Sequence, residues 1–172
     1  TLTARQSIFL GARKPGELRV RLPSEQFVLD PQGVHVIGTS DSSEWVQPLP
    51  TGEANWVTVP LRGSVGDEVR LQWDFSAPIS DGHQAILIDG LEIAEVRQQT
   101  GTIDIENTNA FQINHMAEEN VGVERIDVDD LPGARSESSL AYQFSGGQYR
   151  LMLHAERAVP SVSVTPYYFV KV

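Results

Sequence analysis

Apolar and polar residues alternate with a period of two along much of this chain, and this pattern constrains the fold more than any other feature. The clearest run is 69–75, where valine, leucine, tryptophan and phenylalanine alternate with arginine, glutamine and aspartate. Successive side chains of a β-strand point to opposite faces, so each such run predicts a half-buried strand. Similar runs occur at 18–22, 140–144, 149–154 and 161–165.

Turn signals separate these runs along the whole chain. They are Pro31-Gln32-Gly33, Asp81-Gly82, Asp89-Gly90 and Gly146-Gly147. Many short strands with frequent turns are typical of a β-sandwich. The sequence therefore predicts an all-β fold, an antiparallel, jelly-roll-like β-sandwich with about twelve or more short strands. Helix is expected only as one turn within 112–120.

Two of the turn signals predict β-hairpins. Asp89-Gly90 lies between the apolar runs 86–88 and 91–93, and Gly146-Gly147 lies between 142–144 and 149–153. Both pairs suit a type I′ turn, because that turn needs a positive φ at its two central residues.

The length predicts one domain spanning 1–172. A chain of 172 residues is long enough to bury a core without disulfides. Two longer loops are expected at 47–55 and 129–139, and long loops on a rigid sandwich often carry binding residues. The chain begins with Thr rather than Met. We interpret this as a sign that it is a processed protein or one module of a longer protein.

Composition excludes several classes of function. The absence of cysteine removes disulfides, thiol catalysis and cysteine-based metal sites. The net charge is −10, and the whole excess lies from Gly66 onward, where seventeen acidic residues meet seven basic ones. This balance argues against binding nucleic acid. The chain also has no apolar run long enough to cross a bilayer, so no membrane insertion is expected.

No motif in the sequence predicts catalysis. There is no G-x-S-x-G nucleophile motif. His35 and His154 lie within alternating strands, at positions that face away from the apolar side. His83 and His115 lie outside any recognisable triad pattern. We therefore expect that the protein is not an enzyme.

Three aspartates form the best candidate metal site. Asp127 and Asp129 share one face of a predicted strand end, and Asp130 enters the following loop. Calcium takes six to eight oxygen ligands from such carboxylates and nearby carbonyl groups. The spacing is not that of an EF-hand. The alternative interpretation is a solvated acidic edge that resists edge-to-edge pairing. No other cofactor is expected.

Aromatic residues provide candidate binding positions. Trp45 and Trp56 flank the loop 47–55, where exposed indole rings could stack on sugars or anchor a protein interface. Tyr167, Tyr168 and Phe169 place large rings on both faces of the last predicted strand, and one of these faces is a candidate interface.

In composition the chain resembles bacterial surface or periplasmic β-sandwich modules, being acidic, rich in Thr, Ser and Val, and poor in helix. This resemblance implies an extracytoplasmic location. The sequence predicts a non-catalytic binding or scaffolding module that mediates protein–protein or surface interactions. One alternative is a carbohydrate-binding module that uses Trp45 and Trp56, with a structural Ca²⁺. The other is a self-assembling structural subunit.

Overall fold

The alternating runs form strands throughout the computed structural model, which describes residues 2–9, 15–38, 43–61, 68–79, 84–96, 99–106, 111–131, 138–146 and 148–157. In chain order the strands are β1 (Leu2–Phe9), β2 (Glu17–Arg21), β3 (Val28–Gly38), β4 (Ser43–Val46), β5 (Leu49–Pro50), β6 (Trp56–Pro60), β7 (Glu68–Ser76), β8 (Gln84–Asp89), β9 (Glu92–Ile93), β10 (Gln99–Glu106), β11 (Phe111–His115), β12 (Val123–Ile126), β13 (Ser138–Ser145) and β14 (Arg150–Arg157). Within these ranges the helical elements are two single 3-10 turns, Ala117–Glu119 and Val128–Asp130. The predicted all-β fold is confirmed.

The strands form three sheets in which every pair is antiparallel. The largest has seven strands in the order β12-β13-β10-β1-β7-β3-β4. A three-stranded sheet has the order β11-β14-β8, and a four-stranded sheet has the order β5-β6-β2-β9.

One hydrophobic core joins the three sheets. Strand β7 shows why: Val69, Leu71, Trp73 and Phe75 are buried, while the residues between them are more exposed. The smaller sheets contribute the following residues to the same cluster: Leu18, Val20, Val59, Ile86, Ile88, Leu151 and Leu153. The seven-stranded sheet therefore packs against the two smaller sheets, as expected for a β-sandwich.

The chain changes sheet at most connections. Only β3–β4, β5–β6 and β12–β13 join consecutive strands that pair with each other within the described part of the chain. Repeated passage between layers is the pattern of a jelly roll.

Both predicted hairpins are wrong, because the strands on either side of each turn belong to different sheets. β8 and β9 are in the three-stranded and four-stranded sheets, and β13 and β14 are in the seven-stranded and three-stranded sheets. At the first turn the positive φ values fall on Gly90 (94°) and Leu91 (54°), not on Asp89 and Gly90. Leu91 is fully buried, and its N–H donates to the carbonyl oxygen of Arg21 at 2.6 Å. Inserting this side chain into the core directs the chain into the other sheet.

The predicted turn at Pro31-Gln32-Gly33 is an irregularity within one strand. Strand β3 is continuous from Val28 to Gly38, and its register against β7 shifts between Leu29 and Val34. Gly33 has a φ of 91°. A glycine in this conformation is typical of a β-bulge, which inserts extra residues without ending the strand.

Candidate functional site

Trp45 is the most exposed aromatic side chain among the described residues with a predicted binding role. It lies on β4, where Val46 points into the core and Trp45 points to the outer face of the seven-stranded sheet. The side chain is 45% exposed. A tryptophan this open within a strand leaves a large apolar surface in contact with water, so it is a candidate binding residue.

His35 supports the indole ring from one side. The register places His35 of β3 directly opposite Trp45, and Gln72 of β7 directly opposite His35. The rings of His35 and Trp45 are 4.9 Å apart with an interplanar angle of 15°. This separation matches the spacing between adjacent strands, so the rings stand on the sheet face to face. One indole face is therefore covered by the imidazole.

The other indole face is directed away from the sheet. Among the described strands, β4 is the last of the seven-stranded sheet. A ligand stacked on the other indole face would therefore lie beside the edge of β4 that no described strand pairs with. We refer to Trp45, His35, Gln72 and this outer edge of β4 as the Trp45 site.

Polar groups and acidic charge lie close to the Trp45 site. Gln72 donates from Nε2 to Oδ2 of Asp74 at 3.4 Å on the neighbouring strand β7. Asp30 is exposed in the bulge of β3, and Glu44 is half-buried on β4. The sequence contains no lysine or arginine between Leu22 and Leu61. Glu44 lies on the same face of β4 as Val46, and Arg70 of β7 lies on the same outer face as Gln72, so the surface around Trp45 carries charges of both signs.

Trp56 does not share a surface with Trp45, although both flank the same loop. Strand β6 places Trp56 on the outer face of the four-stranded sheet, opposite Arg21 of β2. The guanidinium group of Arg19 lies 4.8 Å from the centre of the indole ring, and the same group forms an ion pair with Glu53. Trp56 is half-buried, so one of its faces is already occupied. The two tryptophans do not form one coplanar surface for a sugar chain.

The three aspartates of the predicted calcium site follow β12. Asp127 caps the 3-10 turn Val128–Asp130, since its Oδ1 accepts a hydrogen bond from the backbone N–H of Asp129 at 3.1 Å. All three side chains are exposed. Asp127 and Arg125 both line a cavity of about 360 Å³, where the positive charge of Arg125 opposes a cation. Within the described ranges, no three His, Asp or Glu side chains are grouped so that they could hold a metal ion.

Calcium binding at Asp127, Asp129 and Asp130 stays a prediction. A rise in melting temperature on adding millimolar calcium, reversed by EDTA, would support it, because a ligand of the folded state stabilises that state by mass action. The predicted interface at Tyr167, Tyr168 and Phe169 lies outside the described residues.

A second polar cluster connects the two layers, and sequence reasoning missed it. Oδ1 of Asn120 accepts the backbone N–H of Met152 at 2.7 Å, so its Nδ2 is the group that lies 3.2 Å from Nδ1 of His115. The hydroxyl group of Tyr142 lies 3.0 Å from the same Nδ1 atom, and the tautomer of the imidazole decides which of the two donates. Burial raises the pKa of Tyr142, and the positive charge of Arg125 opposes this shift.

This cluster has a structural explanation. His115 belongs to β11 of the three-stranded sheet and Tyr142 to β13 of the seven-stranded sheet, so their contact joins the layers. Tyr142 is fully buried, and a buried tyrosine hydroxyl usually has a hydrogen-bonding partner. Tyr142 occupies an apolar position in an alternating run, so the sequence already indicated that its hydroxyl would be buried and would need a hydrogen-bonding partner. Nothing in the sequence identified His115 as the partner.

No protein-family model matches the sequence, and neither characterised proteins nor solved structures give a match. Within the described part of the chain, no helix has the length and apolar character needed to cross a membrane.

Proposed function

We propose that the protein is a non-catalytic, extracytoplasmic binding module that takes up a protein partner at the Trp45 site. The single observation that carries this proposal is the open indole face of Trp45, supported from behind by His35 at 4.9 Å. A fixed aromatic ring with one accessible face is the usual form of an anchor residue in a binding interface. The stacked imidazole already restricts rotation of the indole ring, so less conformational entropy is lost when a partner binds.

The location of the ring supports binding rather than core packing. Trp45 stands on a regular strand of the large sheet, so its position is set by the strand register and not by a mobile loop. Sites built on rigid elements hold their contacts more precisely than sites on loops.

Matched tryptophan variants test this proposal. The full chain, Trp45→Ala and Trp56→Ala are compared for binding to a random-peptide display library and to a glycan array. We expect Trp45→Ala to lose at least about tenfold in affinity for the selected binders, as is typical of anchor residues. Trp56→Ala, which removes a tryptophan from the other layer, should keep them. Equal binding by wild type and Trp45→Ala would exclude this surface.

Carbohydrate binding is a second candidate that uses the same ring. Its support is the open indole face together with the hydrogen-bonded amide of Gln72 two strands away, since sugars combine stacking with polar contacts. This candidate uses Trp45 without Trp56, because the Trp56 ring lies on the other layer. Selection of glycans rather than peptides by the wild-type chain would favour this candidate.

Self-assembly is the third function expected from the sequence, and it depends on residues outside the described ranges. Light scattering coupled to size-exclusion chromatography tests it directly. A monomer of 19.0 kDa at micromolar concentration would favour a module that binds another molecule.

A further inference from the structure

We infer that the protein binds an aliphatic α-amino acid, as its zwitterion, in a cavity between the ends of β12 and β13. The cavity has a volume of about 360 Å³. Its described lining consists of Arg125, Ile126, Asp127, Val128, Leu140 and Ala141. Strands β12 and β4 are the first and last described strands of the seven-stranded sheet. The cavity is therefore separate from the Trp45 site, and this inference goes beyond the proposed function.

The cavity lies where β12 separates from β13. Ile126 is the last residue of β12, and it pairs with Ala141 of β13. Beyond this pair the chain enters the 3-10 turn Val128–Asp130 and leaves the sheet. The space between the two diverging segments has the size of a small-molecule site. The charges and the polarity of its walls decide which molecule fits.

Arg125 provides an unpaired positive charge at this cavity. Its side chain is exposed, and it forms no ion pair with the residues that the structure describes. Four acidic residues lie close to it in sequence, and none of them neutralises it: Glu124, Asp127, Asp129 and Asp130. A guanidinium group binds a carboxylate through two parallel hydrogen bonds. Arg125 is therefore available to the carboxylate of a ligand.

Asp127 provides the opposite charge two residues further along the chain. Its backbone is extended, so its side chain points to the same side as that of Arg125, with the two Cα atoms about 6–7 Å apart. Oδ1 of Asp127 already accepts the N–H of Asp129, and this bond orients the carboxylate. Oδ2 forms no hydrogen bond with the described residues, so it can accept one from the ammonium group of a ligand.

The other lining residues are apolar. Ile126 and Val128 are half-buried, and Leu140 and Ala141 are buried. Apolar walls favour a ligand with a hydrophobic side chain, because binding removes that side chain from water. The cavity therefore suits an aliphatic group held next to two opposite charges.

This combination argues against simpler ligands. A metal ion or an amine would be repelled by Arg125, and a phosphate or sulfate ion would be repelled by Asp127. A neutral apolar molecule would cover both charges without pairing either, which costs free energy. An α-amino acid carries an ammonium and a carboxylate group on one carbon atom, beside its side chain. It can pair with both charges and place its aliphatic group against the apolar walls.

NMR titration of the full ¹⁵N-labelled chain with L-leucine tests this inference. We expect saturable shifts of the backbone amide signals of residues 125–128, 140 and 141, with half-saturation at about 1 mM or below. Two matched probes each lack one charge: N-acetyl-leucine has no ammonium group, and leucinamide has no carboxylate. Each should bind at least about tenfold more weakly than leucine. Glycine, which lacks the aliphatic group, should also bind at least about tenfold more weakly.

Single substitutions locate the binding groups. Arg125→Gln removes the guanidinium group from an exposed position, so the fold should be retained while leucine binding weakens by at least about tenfold. Asp127→Asn keeps the oxygen that caps the 3-10 turn but removes the negative charge, and it should weaken binding to a similar extent. Arg150→Gln is the matched control, because Arg150 is an exposed arginine on β14. This variant should bind leucine like the wild type.

The outcomes separate this inference from its alternatives and from the proposed function. The absence of saturable shifts up to about 20 mM leucine would overturn it, and so would shifts confined to other residues. Binding of N-acetyl-leucine as tight as that of leucine would show a site for an anion and would overturn the zwitterion. Equally tight binding of leucinamide would overturn it as well. Trp45→Ala should bind leucine normally, so a failure at either site leaves the other one standing.

Discussion

Gln99 and Gly146 hold each other through two hydrogen bonds: Nε2 of Gln99 donates to the carbonyl oxygen of Gly146 at 3.1 Å, and the N–H of Gly146 donates to the carbonyl oxygen of Gln99 at 2.9 Å. The side-chain amide of Gln99 also contacts the connection between β8 and β9. Its Oε1 accepts the N–H of Ile93 at 3.0 Å, and its Nε2 donates to the carbonyl oxygen of Leu91 at 3.3 Å. The buried side chain of Gln99 therefore stabilises two connections between sheets, β8–β9 and β13–β14.

Replacing Gln99 should be costly for this reason. Gln99→Ala removes the hydrogen bonds that the side-chain amide forms with buried backbone groups of Leu91 and Ile93, and we expect it to lower the free energy of unfolding by about 2–4 kcal/mol. Urea denaturation measures this change. Gln143→Ala, at an exposed position on β13, is the matched control and should change stability by less than about 0.5 kcal/mol. Equal effects of the two substitutions would contradict the role of the Gln99 amide.

Trp73 and Trp45 should respond very differently to the same substitution. Trp73 is fully buried and stacks on Phe75, with ring centres 6.2 Å apart. Trp73→Ala empties this position and should destabilise the fold by about 3–5 kcal/mol. Trp45→Ala loses only an exposed stack and should cost about 1 kcal/mol or less. A cost below about 1 kcal/mol for Trp73→Ala would show that the buried face of β7 is wrongly assigned.

The bulge at Gly33 should be intolerant of any side chain. Gly33→Ala combines a positive φ with overlap between the new Cβ and the Val46 carbonyl oxygen. Gly52→Ala is a suitable control, because Gly52 also has a positive φ of 81° but open space around its Cα. The control should lose about 1 kcal/mol from backbone strain. Gly33→Ala should lose at least about 1 kcal/mol more in thermal or urea unfolding, because the Val46 carbonyl must move.

The hydroxyl groups of the two buried tyrosines should have opposite effects on stability. Tyr142 forms a hydrogen bond with His115, so Tyr142→Phe removes this bond and should destabilise by about 0.5–1.5 kcal/mol. The hydroxyl of Tyr149 is buried with no hydrogen-bonding partner among the described residues. Tyr149→Phe should therefore be neutral or stabilising by up to about 1 kcal/mol. Urea denaturation at neutral pH tests both, and a clear loss of stability in Tyr149→Phe would show that its hydroxyl has a partner.

Stability should decrease in alkaline solution. Burial raises the pKa of Tyr149 far above its ordinary value, with a further increase from Asp89 and an opposing effect of Arg21. Above about pH 10 the unfolded chain loses the phenolic proton while the folded chain keeps it, so the unfolded state gains stability as the pH rises. Urea unfolding across this range should show a falling free energy of unfolding. Tyr149→Phe should make the decrease shallower, and an unchanged slope would exclude Tyr149 as its source.

The strands were predictable from sequence to the extent that they depend on local pattern. Strand β7 is an example, because its alternation directly reflects which side chains meet the core. Sheet membership was not predictable, since a two-residue turn such as Asp89-Gly90 suits a hairpin equally well in isolation. The deciding contact, Leu91 with the backbone of Arg21, joins residues seventy positions apart.

The candidate site shows the same limit. The sequence grouped Trp45 with Trp56 as binding residues because they flank one loop, whereas the structure places them on different sheets. Strand pairing places His35 against the Trp45 ring and Arg19 over the Trp56 ring. These partners come from strands that precede the loop by different distances, so no local pattern indicates them.

The repeated passage of the chain between layers has a consequence for how quickly the native state can form. Leu2 pairs with Ile105 and with Phe75, so β1 finds its neighbours only after long segments of chain have closed into loops. Such loop closure costs entropy before the contacts repay it, and β-proteins rich in distant pairings refold in about milliseconds to seconds. During that interval β7 and β10 lack the strand that will separate them. A refolding chain can therefore pair β7 wrongly with β10 in the middle of its largest sheet.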